Sequence, residues 1–255
     1  MPNAQLAWAF SDESGHPVVQ LHGLTSSRAH DRLLQLDLGR ALSGTQLLRY
    51  DARGHGYSSG RPVPADYRWP VLAEDLLQLL DYWFPDQPVH GVGPSMGCGT
   101  LLHAAVRRPE RFSGFTLMLP PTAWDTRPAQ AQRYLESADQ IERLGMGTYF
   151  AQAPSAGPPP AASGAPAVLP HVPDHLLPAI YRGAALSDLP SRDELRRVTA
   201  PTRILAWVDD PGHPLSTAQE LARLLPAATL QVARTPQDLA RWPQLLAEDV
   251  ARYRG

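Results

Sequence analysis

The chain contains no lysine and a single cysteine, Cys98. All 23 basic residues are therefore arginines, which excludes chemistry that needs a lysine, such as Schiff-base formation or a Ser–Lys dyad. One cysteine excludes an internal disulfide and is typical of a reducing compartment. The sequence therefore predicts a cytoplasmic protein.

Long apolar runs and blocks of like charge are also missing. No apolar run approaches the roughly 18 residues of a membrane span, and the first residues, Met-Pro-Asn-Ala-Gln, lack the basic and apolar regions of a signal peptide. The net charge of −2 gives no reason to expect nucleic acid or an anionic membrane as a partner. Neither a phosphate-binding loop nor a metal-ligand spacing is present, so we predict a small-molecule substrate without cofactor or metal. The oligomeric state is left open.

The length and composition allow one large core, since 43% of the 255 residues are hydrophobic. Short apolar runs alternate with amphipathic helical patterns along most of the chain. This alternation predicts an α/β fold with a mostly parallel, twisted sheet and helices on both faces. The predicted strands are Leu6–Phe10, Val18–Leu21, Gln46–Tyr50, Val89–Val92, Phe115–Leu119, Ile204–Val208 and Thr229–Val232.

The alternation stops in an insertion, 121–200, which separates the first part of the core, 1–120, from the last part, 201–255. Within it, Ala129–Leu144 has a helical pattern. The stretch Pro154–Pro173 is rich in Pro, Ala, Gly and Ser, so it is predicted to bury little and to be mobile. An insertion at this point lies over the carboxyl edge of the sheet, where α/β proteins bind ligands. We interpret it as a cap; the alternative is a loosely ordered surface excursion.

The stretch Gly93–Gly97 reads GPSMG, which matches the pattern G-x-S-x-G. It follows a short apolar strand and precedes a helical pattern, in which Cys98 is expected to be a small buried residue. Small residues on both sides permit the sharp turn that exposes a serine hydroxyl at a helix N-terminus. There the helix dipole and the free N–H of Met96 can stabilise negative charge. Ser95 is therefore the candidate nucleophile.

Three further stretches carry recognisable patterns. Val18–Leu24 is a strand followed by a His-Gly pair, Tyr50–Ser58 contains D-x-R-G-x-G-x-S, and Val208–Pro214 reads VDDPGHP. Together with the G-x-S-x-G turn, these motifs resemble those of the α/β-hydrolase superfamily, over nearly the whole chain outside the insertion. The resemblance implies an α/β-hydrolase fold with a serine-esterase-like site.

The resemblance also implies roles for individual residues. Ser95 would attack a carbonyl, and the N–H groups of Leu24 and Met96 would form the oxyanion hole. His22 and His55 lie in loop motifs whose usual role is turn geometry, so we interpret both as structural.

The catalytic acid of this family usually precedes a proline by four positions, which selects Asp210 over Asp209. Some members place the acid after the strand that follows the elbow, so Asp125 is the second candidate. Asp51 and Arg53 are predicted to form a local ion pair that orders their turn.

The base of the family, a histidine after the last strand, is missing, because no histidine follows His213. The residues at the expected place suit a helix start instead. Thr235 is a good N-cap, Pro236 suits the first helical position, and Asp238 suits the first turn.

Three explanations of the missing base follow. The base has moved to His213, three residues beyond Asp210, or to His171 or His175 in the insertion. Alternatively, the elbow and oxyanion hole persist without a base and still polarise a carbonyl. The third possibility is a binding protein on a hydrolase fold, since fold does not imply function.

Two functions therefore stay open at the level of sequence. The first is a serine hydrolase that acts on a small ester, thioester or lactone, with Ser95, His213 and Asp210 as catalytic residues. The second is a pseudo-hydrolase that binds a small apolar ligand or catalyses a lyase or isomerase step. Aromatic residues could line an apolar pocket under the cap; they are Trp124, Tyr134, Tyr149, Phe150 and Tyr181.

Overall fold

The computed structural model describes residues 3–152 and 157–252. Its strands are β1 (Trp8–Asp12), β2 (Pro17–Gln20), β3 (Gln46–Tyr50), β4 (Val89–Pro94), β5 (Phe112–Met118), β6 (Thr202–Trp207) and β7 (Ala228–Ala233). They form one seven-stranded sheet in the order β1-β3-β2-β4-β5-β6-β7. Only β1 pairs antiparallel, with β3, and every other pairing is parallel. The predicted α/β class with a mostly parallel sheet is confirmed.

Helices connect the strands and cover both faces of the sheet. In the described part of the chain they are α1 (Arg28–Leu33), α2 (Trp69–Trp83), α3 (Met96–Arg107), α4 (Arg127–Leu144), α5 (Met146–Gln152), α6 (Leu177–Ala185), α7 (Arg192–Leu195), α8 (Leu215–Leu224), α9 (Pro236–Ala240) and α10 (Trp242–Ala251). None of these helices combines the length and the apolarity needed to cross a membrane.

All seven predicted strands are present, and the differences lie at their ends. Strand β5 begins three residues before its predicted start, and β1 is displaced as a whole by two residues, to 8–12 from 6–10. Its position follows from pairing with β3, in which Trp8 lies opposite Tyr50 and Asp12 opposite Gln46. Apolar composition does not determine which residues of β1 and β3 pair, so the prediction from sequence began the strand two residues too early.

The strands are apolar on both sides because both faces of the sheet are covered. Successive side chains of a strand point to opposite faces. Val19 and Leu48 accordingly pack into the core cluster under α2 and α3, whereas Val18 and Leu47 pack into the cluster on the opposite face, which includes Trp242. The two clusters hold the carboxyl ends of the central strands in a rigid frame.

The chain between β5 and β6 folds into helices α4 to α7. We call its apolar centre the insertion cluster; it consists of Ile141, Val172, Leu176, Leu177, Ala179 and Ile180, together with Tyr67, which precedes α2 in the chain. The helical pattern predicted for Ala129–Leu144 is confirmed as α4.

The Pro-rich stretch 154–173 differs in part from its prediction. Residues 154–156 lie outside the described residues. Farther along, Ala161 and Ala162 are buried in the core cluster that contains Trp242, so the expectation that this stretch buries little is wrong at these residues. Ala161 and Ala162 are buried because this segment packs against the core cluster, and composition alone does not show such a tertiary contact.

Candidate active site

Ser95 lies on the turn between β4, which ends at Pro94, and α3, which begins at Met96. Its backbone has φ 52° and ψ −110°. A positive φ is costly for a residue with a side chain, and such strain concentrates at functional sites. The turn places the Ser95 hydroxyl at the N-terminus of α3, as the G-x-S-x-G pattern predicts.

Close packing around the turn explains why glycine flanks it. A Cβ at Gly93 would lie 3.1 Å from Cβ of Leu21 and 3.2 Å from Cα of Gly97. A Cβ at Gly97 would lie 3.2 Å from the carbonyl oxygen of His22. Larger residues would therefore push the turn away from the loop that follows β2. The prediction that Cys98 is buried is confirmed, and its burial raises the pKa of the thiol.

His213 contacts both Ser95 and Asp210. Its Nε2 is 2.8 Å from Oγ of Ser95, and its Nδ1 is 2.7 Å from Oδ2 of Asp210. Because a carboxylate only accepts hydrogen bonds, Nδ1 carries the proton, which leaves Nε2 to accept from the Ser95 hydroxyl. The side chains of His213 and Asp210 are 24% and 17% exposed, so both are partly accessible to solvent.

Asp210 is held as a carboxylate by its donors. The Trp207 indole N–H donates to Oδ2 at 2.8 Å, and the Gly212 N–H donates to Oδ1 at 2.8 Å. Burial by itself would raise the pKa of Asp210, but the hydrogen bonds from His213, Trp207 and Gly212 lower it to about 2. The acid is therefore ionised at any pH near neutrality.

The loop after β2 lies against the elbow. A Cβ at Gly23 would be 3.9 Å from Cβ of Ser95. Within the described residues, no acceptor takes a hydrogen bond from the N–H of Leu24 or of Met96. The second of these belongs to the first turn of α3, where N–H groups lack a partner within the helix. Two free donors thus lie on the two loops that meet at Ser95.

His22 orders its loop and is not available as a base. Its Nδ1 donates to the carbonyl oxygen of Gly23 at 2.7 Å, and its Nε2 accepts from the N–H of Ala52 at 2.9 Å. Burial lowers the pKa of His22, and it lowers the pKa of His55 to about 3. Both imidazoles are therefore neutral, and Nδ1 of His55 donates to the carbonyl oxygen of Arg53 at 2.9 Å. These contacts within the loops agree with the structural interpretation of His22 and His55.

The predicted ion pair between Asp51 and Arg53 is wrong. Asp51 pairs with Arg28 at 3.1 Å, and Arg53 makes a bidentate pair with Asp75 at 2.6 and 2.7 Å. In the sequence the two residues are neighbours in one motif, but their side chains leave the turn in different directions. The turn is ordered by two ion pairs to distant elements, α1 and α2, and not by a local pair.

Within the described residues, the other candidates for acid and base make no hydrogen bond to Ser95 or His213. Asp125 is 87% exposed and pairs with Arg192 at 2.7 Å, and Asp209 is also exposed. His175 is exposed as well. The structure thus brings together Ser95, His213 and Asp210.

His171 contacts the loop that carries Leu24. Its N–H donates to the carbonyl oxygen of Thr25 at 2.8 Å, and its Nδ1 is 2.7 Å from Oγ of Ser27. Thr25 has φ 60°, which is rare for a β-branched residue. The returning segment of the insertion therefore holds a strained residue next to Leu24.

The predicted pocket aromatics divide into two groups. Tyr149, Phe150 and Tyr181 pack against the insertion cluster, as does the side chain of Leu24. Tyr134 stacks on Tyr181 with ring centroids 5.5 Å apart. Trp124 is separate, because it lies under the Arg192 guanidinium and donates to the carbonyl oxygen of Pro190.

Sequence reasoning missed Trp207, whose indole touches the acid. The available signal was an aromatic N–H donor three residues before Asp210 at the end of a predicted strand. That signal is weak, because the contact depends on the turn at Asp209, whose φ is 61°. Aspartate is among the residues enriched at positive φ, but the sequence does not show that Asp209 adopts it here.

Asp31, close to the Leu24 loop, is expected to make stability depend on pH. It accepts from the Ser26 hydroxyl at 2.6 Å, and burial raises its pKa to about 7. Its unfolded pKa is about 3.9. Between these values the folded state binds more protons than the unfolded state, so the free energy of unfolding falls as the pH rises from about 4 to about 7.

We therefore expect Asp31→Asn to raise the free energy of unfolding by roughly 2–4 kcal/mol at pH 8 and by little at pH 4. Urea titrations at both pH values measure this difference. Asp37→Asn is the control; it should destabilise, because it breaks the pairs of Asp37 with Arg49 and Arg32 at 2.9 and 3.3 Å. Equal effects of Asp31→Asn at both pH values would contradict the prediction.

Comparison with known proteins identifies the family of this chain. The family model of the alpha/beta hydrolase fold matches residues 16–143. A protein named "Putative carbamate hydrolase RutD" from Pseudomonas syringae pv. syringae (strain B728a) is 32% identical over 196 residues, which cover 72% of this chain and 73% of that protein. The chain therefore belongs to the α/β-hydrolase superfamily.

Further relatives and solved structures have hydrolase names. The 3-oxoadipate enol-lactonase 2 of Acinetobacter baylyi (strain ATCC 33305 / BD413 / ADP1) is 28% identical over 190 residues, which cover 72% of this chain and 68% of that protein. A thermophilic esterase from Thermogutta terrifontis superposes with a TM-score of 0.75 at 21% identity, covering 99% of this chain and 95% of that one. At this identity the superposition shows the fold alone.

Proposed function

We propose that this protein is a serine hydrolase that cleaves a small ester, thioester or lactone. The observation that carries the proposal is the unbroken hydrogen-bonded series Ser95–His213–Asp210, with distances of 2.8 and 2.7 Å. Nucleophile, base and acid in this order are the arrangement that activates a serine hydroxyl.

The proposed acylation uses only groups at this site. Oγ of Ser95 attacks the carbonyl carbon of the substrate while its proton passes to Nε2 of His213. The N–H groups of Leu24 and Met96 donate to the oxyanion of the tetrahedral intermediate. When the intermediate collapses, the alcohol or thiol leaves with the proton from Nε2, and an acyl group stays on Ser95.

Deacylation repeats these steps with water as the nucleophile. His213 takes a proton from the water as it attacks the acyl carbonyl, and returns a proton to Oγ of Ser95 when the acid is released. Asp210 stays ionised through both halves and stabilises the imidazolium. The low pKa of Asp210, about 2, supports this role.

The proposed base is atypical in its position along the chain. At the place after β7 where a histidine is usual in this superfamily, α9 begins instead. Thr235 accepts from the N–H of Asp238, and the Asp238 carboxylate accepts from the N–H groups of Arg234 and Thr235. The predicted helix start is thus confirmed. His213, on the loop that carries the acid, would replace the missing residue.

The insertion is proposed to act as the cap that receives the acyl part of the substrate. Leu24 packs against both the core cluster under α2 and α3 and the insertion cluster. Apolar side chains therefore lie next to one proposed oxyanion donor, the N–H of Leu24. The names of the relatives, an enol-lactonase and a carbamate hydrolase, support a small carbonyl substrate. The alternative, a binding protein without a base, depended on the missing imidazole, and the place of His213 favours the hydrolase.

A fluorophosphonate probe tests the nucleophile directly. Attack by Oγ of Ser95 on phosphorus expels fluoride and leaves a stable adduct, so we expect one label per chain on the peptide that contains Ser95. Mass spectrometry of the digested protein locates the adduct, and urea-unfolded protein is the control that should stay unlabelled. A label on another serine, or no label on the folded protein, would contradict the proposal.

A further inference from the structure

We propose that Trp207 is a positioning residue of this site, because its indole N–H fixes the Asp210 carboxylate and thereby aims His213 at Ser95. The inference rests on the proposed function. Within the described residues, Trp207 makes no hydrogen bond to Ser95 or His213; it acts through Asp210, to which its indole N–H donates.

The need for such a residue follows from where acid and base lie. Asp210 and His213 are only three residues apart on one loop after β6. When acid and base come from two loops, each is held by its own strand. Here a single turn carries both, so an error in its position moves acid and base together relative to Ser95.

Backbone contacts restrain this loop only in part. The His213 N–H donates to the carbonyl oxygen of Asp210 at 3.2 Å, and the Thr122 N–H donates to the carbonyl oxygen of Gly212 at 3.1 Å. The Gly212 N–H reaches Oδ1 of Asp210. Since Gly212 belongs to the same loop, this last bond does not tie the carboxylate to the sheet.

Trp207 connects the Asp210 carboxylate to the sheet. It is the last residue of β6 and lies opposite Ala233 of β7, so its backbone is part of the sheet. Its Nε1 donates to the same Oδ2 of Asp210 that accepts from His213, at 2.8 and 2.7 Å. Two donors from different directions determine the plane of the carboxylate, and that plane determines where Nε2 of His213 points.

The indole itself is held firmly. Its ring stacks on that of Trp242, the first residue of α10, with centroids 6.3 Å apart and an interplanar angle of 25°. Trp207 and Trp242 are 8% and 2% exposed. Its ring also meets the imidazole of His213 edge-on, with centroids 6.4 Å apart. A functional side chain that is held by a strand keeps its position more precisely than one that is held only by a loop.

Trp207→Phe tests the inference, since it removes the N–H and keeps an aromatic ring in the stack. We expect kcat for p-nitrophenyl acetate to fall by about 10- to 100-fold, because a displaced His213 imidazole accepts the Ser95 proton less efficiently. KM should stay within about twofold, because the binding surface does not change. Trp83→Phe is the matched control. It makes the same exchange at the end of α2, where the indole nitrogen of Trp83 has no hydrogen-bond partner among the described residues, so kcat should stay near that of the wild type.

An NMR readout keeps the test independent of turnover. The Nδ1 proton of His213, hydrogen-bonded to Asp210, should shift and exchange faster with solvent in Trp207→Phe, and should stay unchanged in Trp83→Phe. An unchanged kcat or an unchanged proton signal in Trp207→Phe would overturn the inference. If Ser95→Ala hydrolyses the ester as fast as the wild type, the proposed hydrolase function fails, and the proton signal alone then decides whether Trp207 positions His213.

Discussion

Ser95→Ala is expected to lower ester hydrolysis by about 10⁴- to 10⁶-fold, because the substitution removes the atom that forms the acyl-enzyme. The remaining rate above that of water would come from the oxyanion donors and substrate binding. The measurement is the steady-state rate with p-nitrophenyl acetate. The fold should persist, since Ala at position 95 adds no atom to the tight contacts of the elbow.

The control for this variant is Ser216→Ala, which replaces an exposed serine near the start of α8. It should keep the full rate. If Ser95→Ala retains more than about a tenth of the wild-type rate, hydrolysis does not proceed through this serine. Such a loss would be too small for a removed nucleophile.

His213→Ala is expected to lower kcat by about 10²- to 10⁴-fold, which is the usual contribution of general base catalysis. The hydroxyl of Ser95 would lose its acceptor, 2.8 Å away, and Asp210 would have no imidazole to orient. KM should change little, because the base acts on a proton and contributes little to substrate binding. Rates and the urea midpoint are measured together to separate catalysis from folding.

His175→Ala is the matched control, since it removes an exposed histidine of the insertion. It should leave both kcat and the urea midpoint unchanged. A His213→Ala variant that unfolds earlier but turns over at the wild-type rate would mean that His213 only orders its loop. The relocated base would then be refuted, whatever the result for Ser95.

Much of the fold could be predicted from local pattern. Apolar runs of strand length, such as Val89–Val92, separate helical patterns such as Trp69–Trp83, and this order allows few arrangements other than a parallel sheet covered on both faces. Strand ends were less certain, because pairing with β3 decides where β1 begins. The site could be predicted in part, since Gly93–Gly97 specifies its own turn.

The partners of charged side chains could not be predicted in this way. Arg53 reaches Asp75 of α2, although Asp51 is its neighbour in the motif. Side-chain direction and the packing of α2 on the sheet decide between these carboxylates. Sequence distance therefore favours the wrong pair.

By itself the sequence determined the strand–turn–helix at Ser95 and the helix start at Thr235, which excludes a histidine from its usual place. Both are local properties of glycine spacing and helix capping. Only the tertiary structure decided that the imidazole of His213 lies beside the Ser95 hydroxyl, where the proposed function needs a base. This imidazole meets a serine 118 positions away in the chain because β4 and β6 end at the same edge of the sheet and because Trp207 holds the Asp210 carboxylate at that edge.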